Sequence, residues 1–181
     1  MRRLVFSMNV SLDGYIEDAT GNFGWSKPDD EVHQFVNDEQ RAAGGGIYGR
    51  RMWDTMKYWA TADTQPEATP VAVDFARIWQ AMPKWVASRT LDHVEHGAEL
   101  LRDPAAEVPR LKEQDGGPLY VGGAGIAGDL MRQGLVDELH AFAFPVVVCG
   151  GKPAWTTPAR LELIDSRTFA SGVVHSRYKL L

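Results

Sequence analysis

The chain has 181 residues, 44% of them hydrophobic and 24% charged, with a net charge of −5. That is the size and balance of one globular domain (residues 1–181) that can bury a core without disulfides, and the acidic balance argues against a nucleic-acid or membrane-surface partner. Cys149 is the only cysteine, which excludes an internal disulfide and any zinc site built on cysteine pairs, and the longest apolar stretch, Ala141 to Cys149, is interrupted by Pro145 and far too short to span a bilayer. A soluble, cytoplasmic protein is expected.

In chain order, Arg3 to Val10 reads as a strand that ends at the turn residues Asp13-Gly14. Glu17 to Lys27 reads as loop. Pro28-Asp29-Asp30 opens a helix running to about Ala43, with Val32, Phe35 and Val36 on its buried side. Gly44 to Gly46 ends it. Ile47-Tyr48 is a short buried strand, Gly49 a turn, and Arg50 to Trp59 a helix. After a polar loop, Val71 to Met82 is a helix with Val71, Phe75, Ile78 and Trp79 as its apolar stripe. Lys84 to Ser88 is a strand, and Thr90 to Asp103 is short, irregular or strand structure. Pro104 to Gln114 is a helix that begins on its proline. Leu119 to Val121 is a strand and Ile126 to Gln133 a helix closed by Gly134. Asp137 to Val148 is a long strand, Gly150 to Pro158 a loop, and Leu161–Ala170 and Val173–Leu180 an antiparallel pair joined at Ser171-Gly172. Strands alternating with helices early, and pairing late, predict a mixed sheet with helices on both faces.

Three strand ends carry residues suited to phosphate. At Ile47-Tyr48-Gly49-Arg50-Arg51-Met52 a glycine follows a strand and leads into a helix with two arginines. A glycine there allows close approach to the backbone, and the helix start and guanidinium forks favour an anion. The competing reading is a tight connection with two solvated arginines. Leu119-Tyr120-Val121-Gly122-Gly123-Ala124-Gly125-Ile126 repeats the pattern, although its glycine spacing is not that of the dinucleotide fingerprint. Ser88-Arg89-Thr90 follows a third strand. Each segment is weak alone; the three together suggest one phosphate-rich ligand across the strand ends.

Taken in order, these segments resemble the dihydrofolate reductase-like family, and within it the reductase domain of the bifunctional riboflavin-biosynthesis deaminase–reductase and its stand-alone relatives. Ser11-Leu12-Asp13-Gly14-Tyr15-Ile16 is similar to the family's first-strand signature, and Gly49-Arg50-Arg51-Met52-Trp53-Asp54 to its Gly-Arg-x-Thr-aromatic-acid motif. Gly122-Gly123 followed by Leu135-Val136-Asp137-Glu138-Leu139, then Pro145 and Gly150-Gly151, are similar to its later signatures. The resemblance implies an α/β three-layer αβα sandwich with a mixed, mostly parallel central sheet and a C-terminal antiparallel strand pair. It implies NADPH bound by Gly49, Arg50, Arg51 and Met52, by Ser88, Arg89 and Thr90 at the 2′-phosphate, and by Val121, Gly122, Gly123, Ala124, Gly125 and Ile126, with the nicotinamide near Asn9, Val10 and Ile16. The activity implied is reduction of a 5-amino-6-(phosphoribosylamino)uracil-type heterocycle; a pterin or dihydrofolate-type reductase, and a nucleotide-binding module without turnover, are the alternatives. A homodimer is also implied. Met52 stands where the family carries threonine, and Val121 where the riboflavin enzymes commonly carry glutamate. The deaminase zinc signature, a His-x-Glu with a Pro-Cys-x-x-Cys, is absent from this chain.

Asp30 and Asp13 are the candidate acid groups. Asp30 sits at a helix start, where a carboxylate could hold a heterocycle or, with Asp29, merely cap the helix; Asp13 precedes Gly14 and could be only a turn residue. His93 and His96 lie three apart in a segment without helical periodicity, so no metal ligand set is expected there. His33, His140 and His175 show no partner in sequence.

Overall fold

The computed structural model describes residues 1–181. Its strands are β1 (Leu4–Ser11), β2 (Tyr15–Glu17), β3 (Gly45–Gly49), β4 (Lys84–Ala87), β5 (Ala98–Leu101), β6 (Leu119–Gly122), β7 (Glu138–Phe144), β8 (Lys152–Pro153), β9 (Leu161–Thr168) and β10 (Val174–Leu180). Its helices are α1 (Asp30–Arg41), α2 (Arg50–Met56), α3 (Pro70–Ala81), α4 (Pro104–Glu113) and α5 (Ala124–Arg132). Eight strands form one sheet in the order β5-β4-β3-β6-β1-β7-β10-β9, and β2 pairs separately with β8. β1, β3, β4, β5, β6 and β7 run parallel; β10 runs against them, and β9, antiparallel to β10, returns to their direction. This is the expected three-layer α/β architecture with its antiparallel C-terminal pair.

Side-chain alternation divides the sheet into two buried faces. Leu4, Phe6, Met8 and Val10 of β1, with Ile47, Leu119 and Val121, pack under Val108 and Leu111 of α4 and Ala127 and Leu130 of α5. On the other face Tyr48 and Val86 meet Trp53, Phe75 and Trp79 from α2 and α3, while Val32 of α1 meets Phe142 and Phe144. Trp79 is 1% exposed, and its indole N–H donates to the Tyr48 hydroxyl at 3.1 Å. Truncating such a side chain to alanine costs about 3–5 kcal/mol. No helix is long and apolar enough to cross a membrane.

Several boundaries differ from expectation for local reasons. Gly45 and Gly46 belong to β3 rather than to the end of α1, because the missing Cβ atoms leave room for the Trp85 and Tyr48 rings. The helix expected over Arg50–Trp59 ends at Met56 and tightens into a 3₁₀ turn, Lys57–Ala60. β7 stops at Phe144, since Pro145 has no N–H to continue the ladder. α1 buries Asn37 as well as Val32; its side-chain amide donates to Val71 O at 2.9 Å and to Asp74 at 2.8 Å, tying α1 to α3. Lys84 is buried too, its ammonium closing the end of α3 through the carbonyls of Trp79, Gln80 and Met82 at 2.9, 3.1 and 2.7 Å.

Candidate functional site

The parallel strands deliver their C-terminal ends to one edge of the sheet, the edge at which open α/β sheets bind ligands. A cleft of about 640 Å³ lies there, bounded by Gly49 and Arg50 after β3, Ala87, Ser88 and Arg89 after β4, Leu101, Arg102 and Asp103 after β5, and Gly125, Ile126, Asp129 and Arg132 of α5. The three segments singled out in the sequence therefore face one another across a single space, although they lie 39 and 36 residues apart (49 to 88, and 89 to 125).

The two glycine turns also touch. A Cβ on Gly49 would lie 3.2 Å from Ile126 Cγ2, and one on Gly122 would lie 3.1 Å from Met52 Cγ. These two glycines thus admit neighbouring side chains, which favours the packing explanation for them. Gly123 is needed for its backbone, with φ at +110°, where L-residues are strained. Gly125 is different: nothing lies within 4 Å of where its Cβ would be, so its face of α5 is open.

Helix capping separates α5, and the shorter α2 with Gly49 at its cap, from the other three helices. The N-termini of α1, α3 and α4 are closed by the side chains of Asp29, Thr69 and Asp103, which accept from Val32 N, Ala72 N and Ala106 N. The nine-residue α5 has Gly123 at its cap and no side-chain bond. Its first backbone N–H groups and partial positive charge are left to whatever lies beside Gly125.

Four arginines, Arg50, Arg89, Arg102 and Arg132, line the cleft against two carboxylates, Asp103 and Asp129. Arg102 donates to Ser88 O at 3.0 Å. Arg132 pairs with Asp129 and donates to Thr157 at 2.8 Å. Arg50 makes only a loose exposed pair with Asp54 at 3.4 Å, a kind of contact worth little. Lys57 and Arg50 hold the Asp54 carboxyl below its ordinary range. The Ser88 hydroxyl oxygen accepts from Thr90 N and Leu91 N at 3.3 and 3.1 Å, so it shapes the turn that presents Arg89. Arg102, Asp129 and Arg132 were not singled out in the sequence. The cue for Arg102 is its place at the end of β5, and for the other two the i, i+3 spacing on α5.

Other expected cofactor residues contribute differently. Arg51 and Thr90 are exposed and lie outside the cleft lining. Val121 and Ala124 are each 1% exposed within the α4–α5 face of the core, so only their backbones can reach a ligand. Asn9 and Val10 point to opposite faces of the sheet. Asn9 donates to Ser26 O at 3.1 Å on the α1 side. Val10 is buried with the α5-side core, where Ile16 also packs, and it borders a second, more apolar groove of about 500 Å³ with Leu12, Met131, Trp155 and Tyr178.

Of the candidate acids, Asp13 accepts from Val148 N at 3.3 Å and Cys149 N at 2.8 Å. A hydrogen bond from Ser11, with those backbone bonds, lowers its pKa, so the carboxylate braces the loop after β7 and does not carry a proton at neutral pH. Asp30 is the exposed first residue of α1, beside the cap Asp29. His33, one turn later, packs its ring against Trp59 and Phe75 at centroid distances of 5.8 and 5.5 Å. Burial pushes its pKa down although Asp30 and Asp74 pull it up.

Residues 2–175 match the model of the RibD C-terminal domain family. The chain belongs to that family. Among curated relatives of this RibD C-terminal domain protein is YyaP of Bacillus subtilis (strain 168), an uncharacterized protein 29% identical over 184 residues, covering 98% of this chain and 94% of YyaP. A candidate riboflavin biosynthesis protein from Shewanella sp. PV-4 superimposes with a TM-score of 0.75 at 22% identity, over 100% of this chain and 99% of that one. The deaminase/5-amino-6-(5-phosphoribosylamino)uracil reductase of Thermotoga maritima does so with a TM-score of 0.68 at 13% identity, over 99% of this chain and 57% of that longer one. Dihydrofolate reductase from Enterococcus faecalis, complexed with NADP(H), gives a TM-score of 0.66 at 12% identity, over 98% and 96%. At these identities the three structures speak for a shared dihydrofolate reductase-like fold.

Proposed function

We propose that the chain is an NADPH-dependent reductase acting on a planar nitrogen heterocycle of the kind reduced in riboflavin synthesis. The observation that carries this reading is the uncapped, open start of α5 at Gly125, which shares one cleft with Arg50, Arg89 and Arg102 from three other segments. Family membership adds to it, as do two proteins of the same fold, one a uracil-derivative reductase and one bound to NADP(H).

The residues present fit such a cofactor. The N–H groups at the start of α5 receive a pyrophosphate oxygen, and Gly125 leaves the backbone bare for it. Arg89, which makes no hydrogen bond to a protein acceptor, together with Arg50, held only by its loose pair with Asp54, supplies forked donors to the 2′-phosphate. When bound, NADPH supplies the hydride. The task of the chain is to fix the cofactor, align the acceptor at the C-terminal end of β1 on the Asn9 side, and exclude water there. Asp13 is spent on the loop, so Asp30 or solvent delivers the proton.

The test is NADPH oxidation, followed by loss of its near-ultraviolet absorbance, with a 5-amino-6-(phosphoribosylamino)uracil and with dihydrofolate supplied in turn. Turnover with the uracil supports the proposal. Turnover with dihydrofolate alone moves the substrate to the pterin class, and no turnover with either refutes the reading as a reductase of these heterocycles.

A further inference from the structure

Under the C-terminal half of α1, three side chains meet that the reductase reading leaves unused: Glu39 of α1, His140 of β7 and His175 of β10. In the β7–β10 ladder His140 stands opposite Arg177 and His175 opposite Phe142, so the two imidazoles are diagonal neighbours on the α1 face. His140 and His175 are 2% and 1% exposed. His140 Nδ1 and His175 Nε2 nevertheless have no hydrogen-bond partner. Buried polar atoms in native proteins are almost always satisfied, so two orphans turned toward one carboxylate call for an occupant.

The geometry suits an ion. Glu39 Oε1 lies 3.5 Å from His140 Nδ1, and the three ligand atoms all fall within 4.8 Å of one another. Tetrahedral zinc with bonds of about 2.0–2.1 Å sets its ligands roughly 3.3–3.4 Å apart, so the first pair is already in place and the rest must close by about 1.5 Å at most. The far side of His140 is built as metal-bound histidines usually are: Nε2 lies 3.2 Å from Glu138 Oε2, and Glu138 is itself held by Arg3 and by Arg177 at 3.2 Å. With the Nε2 proton given to Glu138, the Nδ1 lone pair faces Glu39. Arg177, whose Nε also lies 3.3 Å from that Nε2, then keeps its hold on Glu138 through its terminal nitrogen. His175 is walled by the Phe142 and Phe35 rings at 4.3 and 4.9 Å.

We propose that Glu39, His140 and His175 bind one divalent transition-metal cation of the zinc type, which pins α1 to β7 and β10. Two imidazoles and one carboxylate are a zinc-type donor set, and the fourth position belongs to a water entering beside Glu39, the ligand nearest solvent. The role is structural, since the ligands sit on the α1 face of the sheet and line no part of the cleft at the strand ends.

The experiment treats the whole chain with a chelator, titrates it with Co²⁺ as a visible-absorbing probe, displaces that with Zn²⁺, and follows thermal unfolding. The expected result is one Co²⁺ per chain with a ligand-field band that Zn²⁺ abolishes. A Zn²⁺ excess of a hundredfold over Kd should raise Tm by about 5–10 °C. Glu39→Gln and His175→Gln should each weaken binding at least tenfold. His93→Ala/His96→Ala, which removes the exposed histidine pair, should leave it unchanged. Glu39 is partly exposed, so Glu39→Gln decides the matter even if His175→Gln folds poorly. No saturable band at millimolar Co²⁺, binding untouched by Glu39→Gln, or binding abolished by the His93/His96 change would overturn the proposal. The cluster would then be a metal-free histidine–carboxylate contact.

Discussion

Gly125→Asp separates cofactor binding from folding, because the two should move in opposite directions. Gly125 is the second residue of α5, its surroundings are empty, and its φ lies outside the positive range. Replacing a helical glycine recovers about 0.5–1 kcal/mol of backbone entropy, and a carboxylate in the first turn gains about 0.3–1 kcal/mol from the helix dipole. The folded protein should therefore gain about 1 kcal/mol, a rise in Tm of about 2–4 °C. The same carboxylate occupies the place assigned to a phosphate and competes for its N–H donors. Losing a charge-assisted contact costs about 1.5–3 kcal/mol, so NADPH affinity should fall roughly 10- to 100-fold. Differential scanning fluorimetry without ligand, with a fluorescence titration of NADPH, measures both quantities. Unchanged NADPH affinity would refute the placement of the phosphate at α5, and a parallel loss of stability would refute the open environment on which it rests.

Gly123→Ala should do the reverse, costing about 1–3 kcal/mol of stability in chemical denaturation, because φ of +110° is strained for any residue with a Cβ even though the nearest atoms, at 3.6–3.7 Å, would make only ordinary contact. The buried His175 sets a pH dependence. The folded chain keeps it neutral down to about pH 4, whereas the unfolded chain protonates it near 6.5. The unfolded state therefore binds more protons between those values, and stability should be level above pH 6.5 and fall by about 3 kcal/mol toward pH 4. Urea unfolding across that range in chelator checks it, and an equal slope in His175→Gln would show that another group is responsible.

Much of this arrangement is legible in the sequence, and the reasons for the remainder are physical. The strand–glycine–helix junctions at Gly49 and Gly122 are visible because each is local, and so is the hairpin at Ser171-Gly172. The neighbours of each strand are not local: β6 is inserted between β3 and β1, and that placement is what carries Gly125 to Arg50 and Arg89. Arg102 joins the cleft only once β5 is known to be the parallel edge strand. Met52 could be seen as a departure, but not that its side chain packs on Gly122. His140 and His175 read as unrelated single residues because they meet only through β7–β10 pairing, and Glu39 reaches them from a helix some hundred residues earlier (39 to 140).

The central claim, that this cleft holds NADPH by its phosphates, is tested most directly by comparing NADPH and NADH affinities for the parent chain and for Arg89→Ala by fluorescence titration. NADPH should bind the parent more tightly than NADH, and Arg89→Ala should narrow the gap about tenfold, since one guanidinium–phosphate contact is worth about 1.5–3 kcal/mol, while leaving NADH affinity nearly unchanged. Equal affinities for the two nucleotides in the parent, or no saturable binding of either, would contradict it.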